Sequence, residues 1–303
     1  MGRVVVFGNA SLDIVLSLRA FPEPGETVLA RAAMTCAGGK GLNQAVAAAR
    51  TGASVHLIAA LGRDAAATTV RAAVAQEAGL AARFLVRDLP TDVSTIWVDA
   101  SGENVIASAN LAAHSLRPAD AAAELDDIRS DDWLLLQGNL ERDATEAAMR
   151  AAHSAGARVI LNSAPMQPWI RDLLPGIDVL VANEVEARQI AGRDGAAAEA
   201  LLEAGAGTVI VTRGAAGASR RSPEGATEIA APMVTCVDAS GAGDVFVGTL
   251  SGLVSQGVDT MESVACAVSA ASLSVTRRGT TPSFPSRAEI EALRVRPAAE
   301  TAR

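Results

Sequence analysis

The sequence has few of the residues that would mark a secreted, metal-binding or membrane protein. Its three cysteines, Cys36, Cys236 and Cys266, are odd in number and far apart. They indicate free or buried thiols in a reducing compartment rather than a disulfide framework or a zinc site. No apolar run is long enough to span a bilayer and no signal peptide precedes the first strand-like run, so we predict a cytoplasmic protein.

Positive charge is also scarce. The chain carries 26 basic against 34 acidic residues, a net charge of −8, and Lys40 is its single lysine. Such a composition argues against nucleic acid or an anionic membrane as the main partner. The GxxxxGK[ST] loop and the HRD and DFG motifs are missing too, which argues against P-loop and protein-kinase mechanisms.

What the sequence does contain is an alternation of strand-like and helical patterns. Its 303 residues allow about two domains or one large α/β domain. Apolar runs typical of buried strands lie at 4–7, 55–61, 133–136, 158–161, 179–181 and 208–211, and helical patterns lie at 44–50, 65–78 and 143–155. This alternation predicts an α/β fold with a mainly parallel sheet and helices on both faces.

Two segments, 13–36 and 91–111, interrupt that alternation. They contain short polar strands joined by turns, with Ala100-Ser101-Gly102 as a hairpin signal. We interpret them as a small β-sheet lid over the ligand site; the alternative is two edge excursions of one sheet. A small open sheet has unpaired edges, so we expect two lids to pair in a homodimer. The predicted α/β domain then comprises residues 1–12, 37–90 and 112–303.

Residues 237–244, Val-Asp-Ala-Ser-Gly-Ala-Gly-Asp, run directly into an apolar helical pattern. Gly241 and Gly243 let the backbone turn tightly and approach a ligand, and the N–H groups of a helix N-terminus form an anion site. Asp244 would be a carboxylate beside a phosphate cradle, where a general base takes a proton from an attacking hydroxyl. The alternative is a glycine-rich turn with a carboxylate in the first helical turn.

Three further polar segments lie where ligands bind in α/β sheets, at the ends of strands. Residues 38–43 form a second glycine loop at a helix N-terminus. Asn183, Glu184 and Glu186 suit a hydrated Mg²⁺ bound through water and nucleotide phosphates; alternatively, Asn183 is a helix N-cap with Glu186 in a capping box. The donors of residues 212–217 suit phosphates, although Arg213 equally suits a surface position.

Together these segments resemble the ribokinase-like (PfkB) family of carbohydrate kinases. Gly38-Gly39-Lys40-Gly41-Leu42-Asn43-Gln44-Ala45 resembles one family signature, and residues 238–244 resemble the other. The likeness covers nearly the whole chain, and its pattern is closest to the ribokinase branch. The segments that fall in family order between and after the signatures are 102–106, 162–165, 183–186, 212–214 and 275–279.

The resemblance implies ATP-dependent phosphorylation of a small sugar, with Asp244 as the base and the amides of Ala242 and Gly243, beside Gly241, as the anion hole. Mg²⁺, K⁺ and a homodimer are implied as well. The residues implied for the sugar are Ser11, Asp13, Gly39, Lys40 and Asn43. Those implied for ATP and Mg²⁺ are Asn183, Glu186, Thr212 and Gly217, with Arg213, Gly214 and Gly243 beside them. Those implied for K⁺ are Asp238, Ser240, Ser274, Arg277, Gly279 and Ser283.

The sequence departs from the family pattern at two positions. Ala239 replaces a threonine, which the backbone anion hole tolerates. Asn139 follows the strand at 133–136, where ribose-phosphorylating members place a glutamate on the sugar hydroxyls. Because an amide donates as well as accepts and carries no charge, Asn139 leaves open another pentose, a tetritol-like or ketose substrate, or a nucleoside.

Two rival functions compete with a sugar kinase. A nucleoside kinase of the same family would need aromatic residues in the lid to stack a base, and only Phe21 and Trp97 are available there. A non-catalytic sugar-binding protein would be expected to lose the base or the glycines, yet Asp244, Gly241 and Gly243 are all present. We therefore predict an ATP-dependent sugar kinase.

Overall fold

The computed structural model describes residues 2–101 and 103–295. Gly102, part of the predicted hairpin signal, and the end of the predicted α/β domain, 296–303, lie outside the described residues, as does Met1. The strands are β1 (Val4–Phe7), β2 (Ser11–Ser17), β3 (Ala32–Gly38), β4 (Val55–Leu61), β5 (Leu80–Val86), β6 (Asp92–Val98), β7 (Asn104–Ala109), β8 (Trp133–Gln137), β9 (Arg158–Asn162), β10 (Val179–Asn183), β11 (Thr208–Thr212), β12 (Ala218–Ser222) and β13 (Gly225–Ile229). The helices are α1 (Lys40–Arg50), α2 (Ala65–Val74), α3 (Pro118–Glu124), α4 (Arg142–Ser154), α5 (Ile170–Leu173), α6 (Glu184–Ala191), α7 (Ala197–Glu203), α8 (Ala242–Ser255), α9 (Thr260–Ser274) and α10 (Arg287–Val295).

The larger sheet has nine strands in the order β13-β12-β11-β10-β9-β8-β1-β4-β5. All pairings from β5 to β11 are parallel, and β12 and β13 add an antiparallel edge. The predicted mainly parallel sheet is therefore confirmed. The sequence patterns missed the edge strands β5 and β13 and the neighbouring β12, because these strands are partly exposed and lack a continuous apolar run.

The central strands are buried on both faces, which explains their uninterrupted apolar runs. In β1, Val4 and Val6 belong to one core, packed against α1, α2, α8 and α9, whereas Val5 and Phe7 belong to the other, packed against α3 to α7. Helices thus cover both faces of the sheet, as predicted. None of the described helices combines the length and hydrophobicity that crossing a bilayer requires.

The two interrupting segments form a separate four-stranded sheet in the order β3-β2-β6-β7. β2 and β6 are parallel, and the outer pairings are antiparallel. The alternative of edge excursions from one sheet is therefore wrong. Within the segment 13–36 the second strand begins only at Ala32, since the exposed residues before it make no ladder, and the two inner strands of the sheet begin at Ser11 and Asp92.

Helices α1 and α8 approach each other unusually closely on one face of the large sheet. A Cβ at Gly248 would lie 2.4 Å from the backbone oxygen of Gln44, and one at Gly252 would lie 2.4 Å from Thr51 Oγ1. Because no side chain fits at either position, the two glycines set the distance between the helices. This distance brings the first turn of α1 beside the first turn of α8.

We predict that Gly248→Ala lowers the free energy of unfolding by about 1–3 kcal/mol, the usual cost of overpacking. Gly243→Ala is the matched control in the same helix, since its added Cβ would meet nothing within 4 Å. The control should keep the wild-type stability or gain up to about 1 kcal/mol from helix propensity. Denaturant unfolding of both variants checks this, and equal stability would show that α1 and α8 can separate at no cost.

Candidate active site

A cavity of about 430 Å³ lies between the small sheet and the ends of the central strands of the large sheet. Its lining residues on the side of the large sheet are Asn9, Gly39, Lys40, Asn43, Asn139, Pro165, Ser240, Gly241, Asp244 and Thr280. Those from the small sheet and its exit are Asp13, Ser94, Ile96, Ile106, Ser108 and Asn110. Most of the residues predicted for the sugar and the anion therefore share one cavity.

Asp13 forms part of a polar row across the small sheet. It is opposite Ser94, which is opposite Ser108 in the next strand, and the Ser94 and Ser108 hydroxyls are 2.8 Å apart. Ser11, fully buried, donates its hydroxyl to Asp13 Oδ1 at 2.8 Å. Gly38 makes room for this carboxylate, since a Cβ there would lie 2.0 Å from Asp13 Oδ2.

The Asp13 carboxyl is 4% exposed, and its burial raises its pKa to about 6. Hydrogen bonds from Ser11 and Ser94 oppose this shift, whereas the negative charge of Asp244 adds to it. Burial disfavours the charged form of a carboxyl because the surroundings solvate the charge less well than water does. Asp13 therefore titrates closer to neutral pH than an ordinary aspartate.

The glycine loop before α1 brings the backbone close to the end of β1. Gly39 has a φ of +91°, which an L side chain rarely adopts, and a Cβ at Gly41 would lie 2.6 Å from the Asn9 carbonyl oxygen. Asn9 Oδ1 accepts the Gly41 N–H at 3.1 Å. Lys40 and Asn43 thereby enter the cavity from the first turn of α1.

Asp244 lies in the first turn of α8 and is 6% exposed. Asn43 Nδ2 donates to its Oδ2 at 3.1 Å, and Gln44 Nε2 donates to its Oδ1 at 3.0 Å. Lys40 Nζ lies 3.7 Å from the same Oδ1. The carboxylate is thus held by donors from α1 while it faces the cavity, an arrangement that suits proton transfer from a bound hydroxyl.

The N-terminus of α8 is open to a ligand. Its N-cap, Gly241, has a φ of +78°, and no side chain of the described residues caps it. A Cβ at Gly243 would meet nothing within 4 Å, so a ligand can approach this backbone closely. The first N–H groups of a helix have no intrahelical acceptor, and here they can bind an anion such as a phosphoryl group.

Two amide oxygens of the cavity lack hydrogen-bond partners within the described residues. Asn43 Oδ1 and Asn139 Oδ1 are buried and accept no hydrogen bond within the described residues. A buried acceptor without a partner costs free energy, and a polyhydroxylated ligand would supply the missing donors. No lining residue of the described chain is aromatic. Trp97 follows the cavity-lining Ile96 on β6 but does not line the cavity itself, and neither does Phe21.

The residues predicted for ATP and Mg²⁺ lie at the ends of β10 and β11. Asn183 and Glu186 form the capping box that was the alternative interpretation: Asn183 Oδ1 accepts from Glu186 N at 2.9 Å, and Glu186 Oε2 accepts from Asn183 N at 3.0 Å. Ser163 Oγ also donates to Glu186 Oε2 at 2.7 Å. Thr212 pairs with Asn183 in the ladder, so these side chains are neighbours at one edge.

The loop after β11 contains two glycines with positive φ and the part-buried Arg213. Gly214 has a φ of +54° and open space around it, and Gly217 has a φ of +91° with a Cβ position 2.0 Å from the Ile229 carbonyl oxygen. Arg213 forms a salt bridge with Glu228 at 2.5 Å. It lines a separate cavity of about 230 Å³ between α6, α7 and β12. Glu228 therefore pairs with the part-buried guanidinium, and a role of Arg213 at phosphates stays a prediction.

The residues implied for K⁺ surround a hydrogen-bonded junction of two loops. Asp238 Oδ1 accepts the Ser240 N–H at 2.9 Å, and its Oδ2 accepts the Gly279 N–H at 2.8 Å. Ser283 Oγ donates to the Thr280 carbonyl at 2.7 Å, Ser274 ends α9, and Arg277 is paired with Glu289. The described part of the chain contains no cluster of three or more His, Cys, Asp or Glu side chains suited to a metal.

Several residues that line or adjoin the cavity were not predicted from the sequence. Asn9 follows the buried strand β1, and that position alone could have indicated a ligand contact. Ser94 and Ser108 could not be assigned, because the facing of the small strands was unknown. Thr280 and Asn110 lie in loops without a motif. The amide Gln44, inside the first signature, was not assigned a role.

Comparisons with known proteins agree on one family. The family model described as pfkB family carbohydrate kinase matches residues 1–287. The chain is 33% identical over 295 residues to a ribokinase of Haemophilus influenzae, covering 94% of this chain and 96% of the relative. It is 30% identical over 295 residues to a deoxyribokinase of Salmonella typhimurium, covering 93% and 95%. The structure of Arabidopsis thaliana ribokinase complexed with ribose and ATP matches with a TM-score of 0.87 at 28% identity, covering 98% of this chain and all of that one.

We predict that Asp13 makes stability depend on pH. An unfolded aspartate ionises near pH 3.8, whereas Asp13 in the folded protein ionises near pH 6. Between these values the folded state holds a proton that the unfolded state has released, so the free energy of unfolding falls as the pH rises. The full loss is about 3 kcal/mol, at about 1.4 kcal/mol for each unit of pKa.

The measurement compares the wild type with Asp13→Asn by denaturant unfolding from pH 4 to pH 7. The variant should gain stability relative to the wild type across this interval and then keep the gain above it. Asp92, whose pKa burial also raises to about 6, is present in both proteins and cancels. Parallel stability curves would show that Asp13 titrates normally.

Proposed function

The chain belongs to the pfkB family of carbohydrate kinases and is an ATP-dependent sugar kinase, and on that premise we propose that Asp244 is its general base beside an anion hole at the N-terminus of α8. One observation carries this proposal. Asp244 is nearly buried in the cavity, next to the open backbone of Gly243 and the uncapped helix N-terminus.

In the proposed reaction, Asp244 takes the proton of a sugar hydroxyl while the hydroxyl oxygen attacks the γ-phosphorus of ATP. The bond from that phosphorus to the bridging oxygen of ADP breaks as the new phosphate ester forms. The N–H groups of Ala242 and Gly243 would stabilise the charge on the phosphoryl oxygens, with Gly241 shaping the turn. Positioning and electrostatics then supply most of the rate.

We propose a pentose as the sugar, held by Asp13, Asn43 and Asn139, with Gly39 and Lys40 beside it and Ser11 orienting Asp13. The neutral amides of Asn43 and Asn139 have acceptors without partners, which suits hydroxyl donors. The related ribokinase structure was complexed with ribose, so ribose is the first candidate and deoxyribose the second. A nucleoside is disfavoured because the described lining of the cavity offers no aromatic side chain to stack a base.

We propose that ATP and Mg²⁺ lie along the ends of β10 and β11, near Asn183, Glu186, Thr212, Gly214 and Gly217. The fit is good for Mg²⁺ that keeps most of its water, because few protein ligands are then needed. Mg²⁺ would neutralise phosphate charge. Glu186, held by the capping box and Ser163, would orient water around the ion.

We propose that K⁺ binds near Asp238, among the carbonyls of Ser240, Ser274, Arg277 and Gly279, with the hydroxyl of Ser283. The supporting observation is that the Asp238 carboxylate ties Ser240 to Gly279. The loop that precedes the anion hole and the loop after α9 thus form one unit. A K⁺ ion bound to this unit would therefore affect the position and the electrostatic surroundings of Gly241.

The proposed function is tested by a coupled assay of ADP release over pentoses, hexoses, polyols and nucleosides. We expect turnover with a pentose, and a fall of about 10²–10⁴-fold in kcat for Asp244→Asn, the usual worth of a general base. Repeating the assay in K⁺, Na⁺ and tetramethylammonium salts tests the cation, with the highest rate expected in K⁺. Near-wild-type turnover of the folded Asp244→Asn variant would refute the base, and absence of turnover with every acceptor would favour the sugar-binding alternative.

We propose that the small sheet, from segments 13–36 and 91–111, is a lid that also forms a homodimer. Its edge strand β7 is exposed along its whole length, and Met34, Val105 and Ile106 are exposed apolar side chains on it or on the opposite edge strand β3. Such edges and side chains are normally covered. Light scattering at micromolar concentration should therefore give twice the monomer mass; a monomer alone would rule out the dimer.

A further inference from the structure

The side chain of Gln44 forms three hydrogen bonds that connect α1 to the candidate site and to the large sheet. Its side chain is fully buried and does not line the cavity. Its Nε2 donates both to Asp244 Oδ1 at 3.0 Å and to Asn162 Oδ1 at 3.1 Å. Its Oε1 accepts from Gln137 Nε2 at 3.0 Å. The amide therefore joins four elements of the fold, α1, α8, β8 and β9.

The direction of this amide is determined by a backbone carbonyl in the large sheet. Asn162 Nδ2 donates to the Val181 carbonyl oxygen at 3.2 Å, and a carbonyl can only accept. Asn162 must therefore present its oxygen towards Gln44. Gln44 in turn must present its nitrogen, and the second hydrogen of that nitrogen meets Asp244. The backbone of the large sheet thus fixes the Gln44 amide so that its nitrogen, a donor, faces Asp244 rather than its oxygen.

We propose that Gln44 is a positioning residue that holds Asp244 in the orientation needed to accept a proton, and that Asn162 sets the direction of the Gln44 amide; this rests on the proposed role of Asp244. With Gln44 on Oδ1 and Asn43 on Oδ2, the carboxylate cannot rotate freely. Each oxygen keeps a further lone pair for a substrate hydroxyl. A donor to the ionised form also favours ionisation.

Gln44→Met removes the amide with little change in size and leaves the cavity lining unaltered. We expect kcat to fall about 10- to 100-fold, the worth of a hydrogen bond to a charged group, while the KM for the sugar stays within about twofold. The acid limb of the pH–rate profile should move to higher pH by up to about one unit. Asp13 and Lys40, the other charged groups that face Asp244, are the same in both proteins.

Asn162→Leu tests the directional step from a residue that does not touch Asp244. Without the Asn162 oxygen, the Gln44 amide loses the partner that fixes its direction, so the acid limb should move in the same sense as in Gln44→Met. Gln256→Met is the matched control. Gln256 also ties α8 to α1, since its Nε2 donates to Thr51 Oγ1 at 2.9 Å, but it lies at the far end of the helix.

The control should lose stability without any change in the pH–rate profile. A folded Gln44→Met variant with wild-type kcat and pH profile would overturn the inference, as would an equal pH shift in Gln256→Met. If Asp244→Asn also keeps its turnover, the proposed base itself is wrong; if Asp244→Asn is inactive, only the role of Gln44 fails. A readout without a Gln44 variant is NMR of the wild type, where the Gln44 side-chain amide protons should resist solvent exchange and shift strongly in Asp244→Asn. Rapid exchange of these protons would also refute the proposal.

Discussion

The candidate site depends first on how closely α1 and α8 pack. Only glycine fits at positions 248 and 252, where the backbone of α8 meets α1. Because of this contact, Asn43 and Gln44 on one helix reach the carboxylate of Asp244 on the other. Both helices also begin at glycine loops beneath the cavity. A packing constraint in the core thus sets distances of about 3 Å between groups that are 200 residues apart in the chain.

Much of this could be predicted because each signal was local. The apolar runs of the central strands predicted a parallel sheet, and two glycine motifs before helical patterns predicted two helix N-termini at one ligand site. Asp244 follows directly from its motif. The four-stranded sheet was also visible, because its segments are too polar and short for central strands, although their ends were displaced by a few residues.

What the sequence could not show is how distant polar residues pair. Gln44, Gln137 and Asn162 come from three elements, and amides follow no periodicity that separates a buried network from a solvated surface. Only strand order and register bring them together. Asn183 and Glu186 differ in this respect, because their spacing in the sequence predicted the capping box as one of two alternatives, and the structure shows it. The ion pair of Arg213 with Glu228 could not be predicted, because Glu228 lies on β13, an edge strand that the sequence patterns missed.

The two carboxylates of the cavity have different surroundings, and this difference matches their proposed roles. Asp244 receives amide donors from Asn43 and Gln44, with Lys40 at 3.7 Å. Asp13, from the small sheet, has hydroxyls as its side-chain donors, and burial raises its pKa to about 6. Ionised Asp13 is therefore short of donors near neutral pH. The hydroxyls of a bound sugar can supply them, so binding would relieve part of the cost of burying this charge. Asp244, the proposed base, thus receives its hydrogen bonds from the protein, whereas Asp13 of the small sheet would receive part of its hydrogen bonds from the bound sugar.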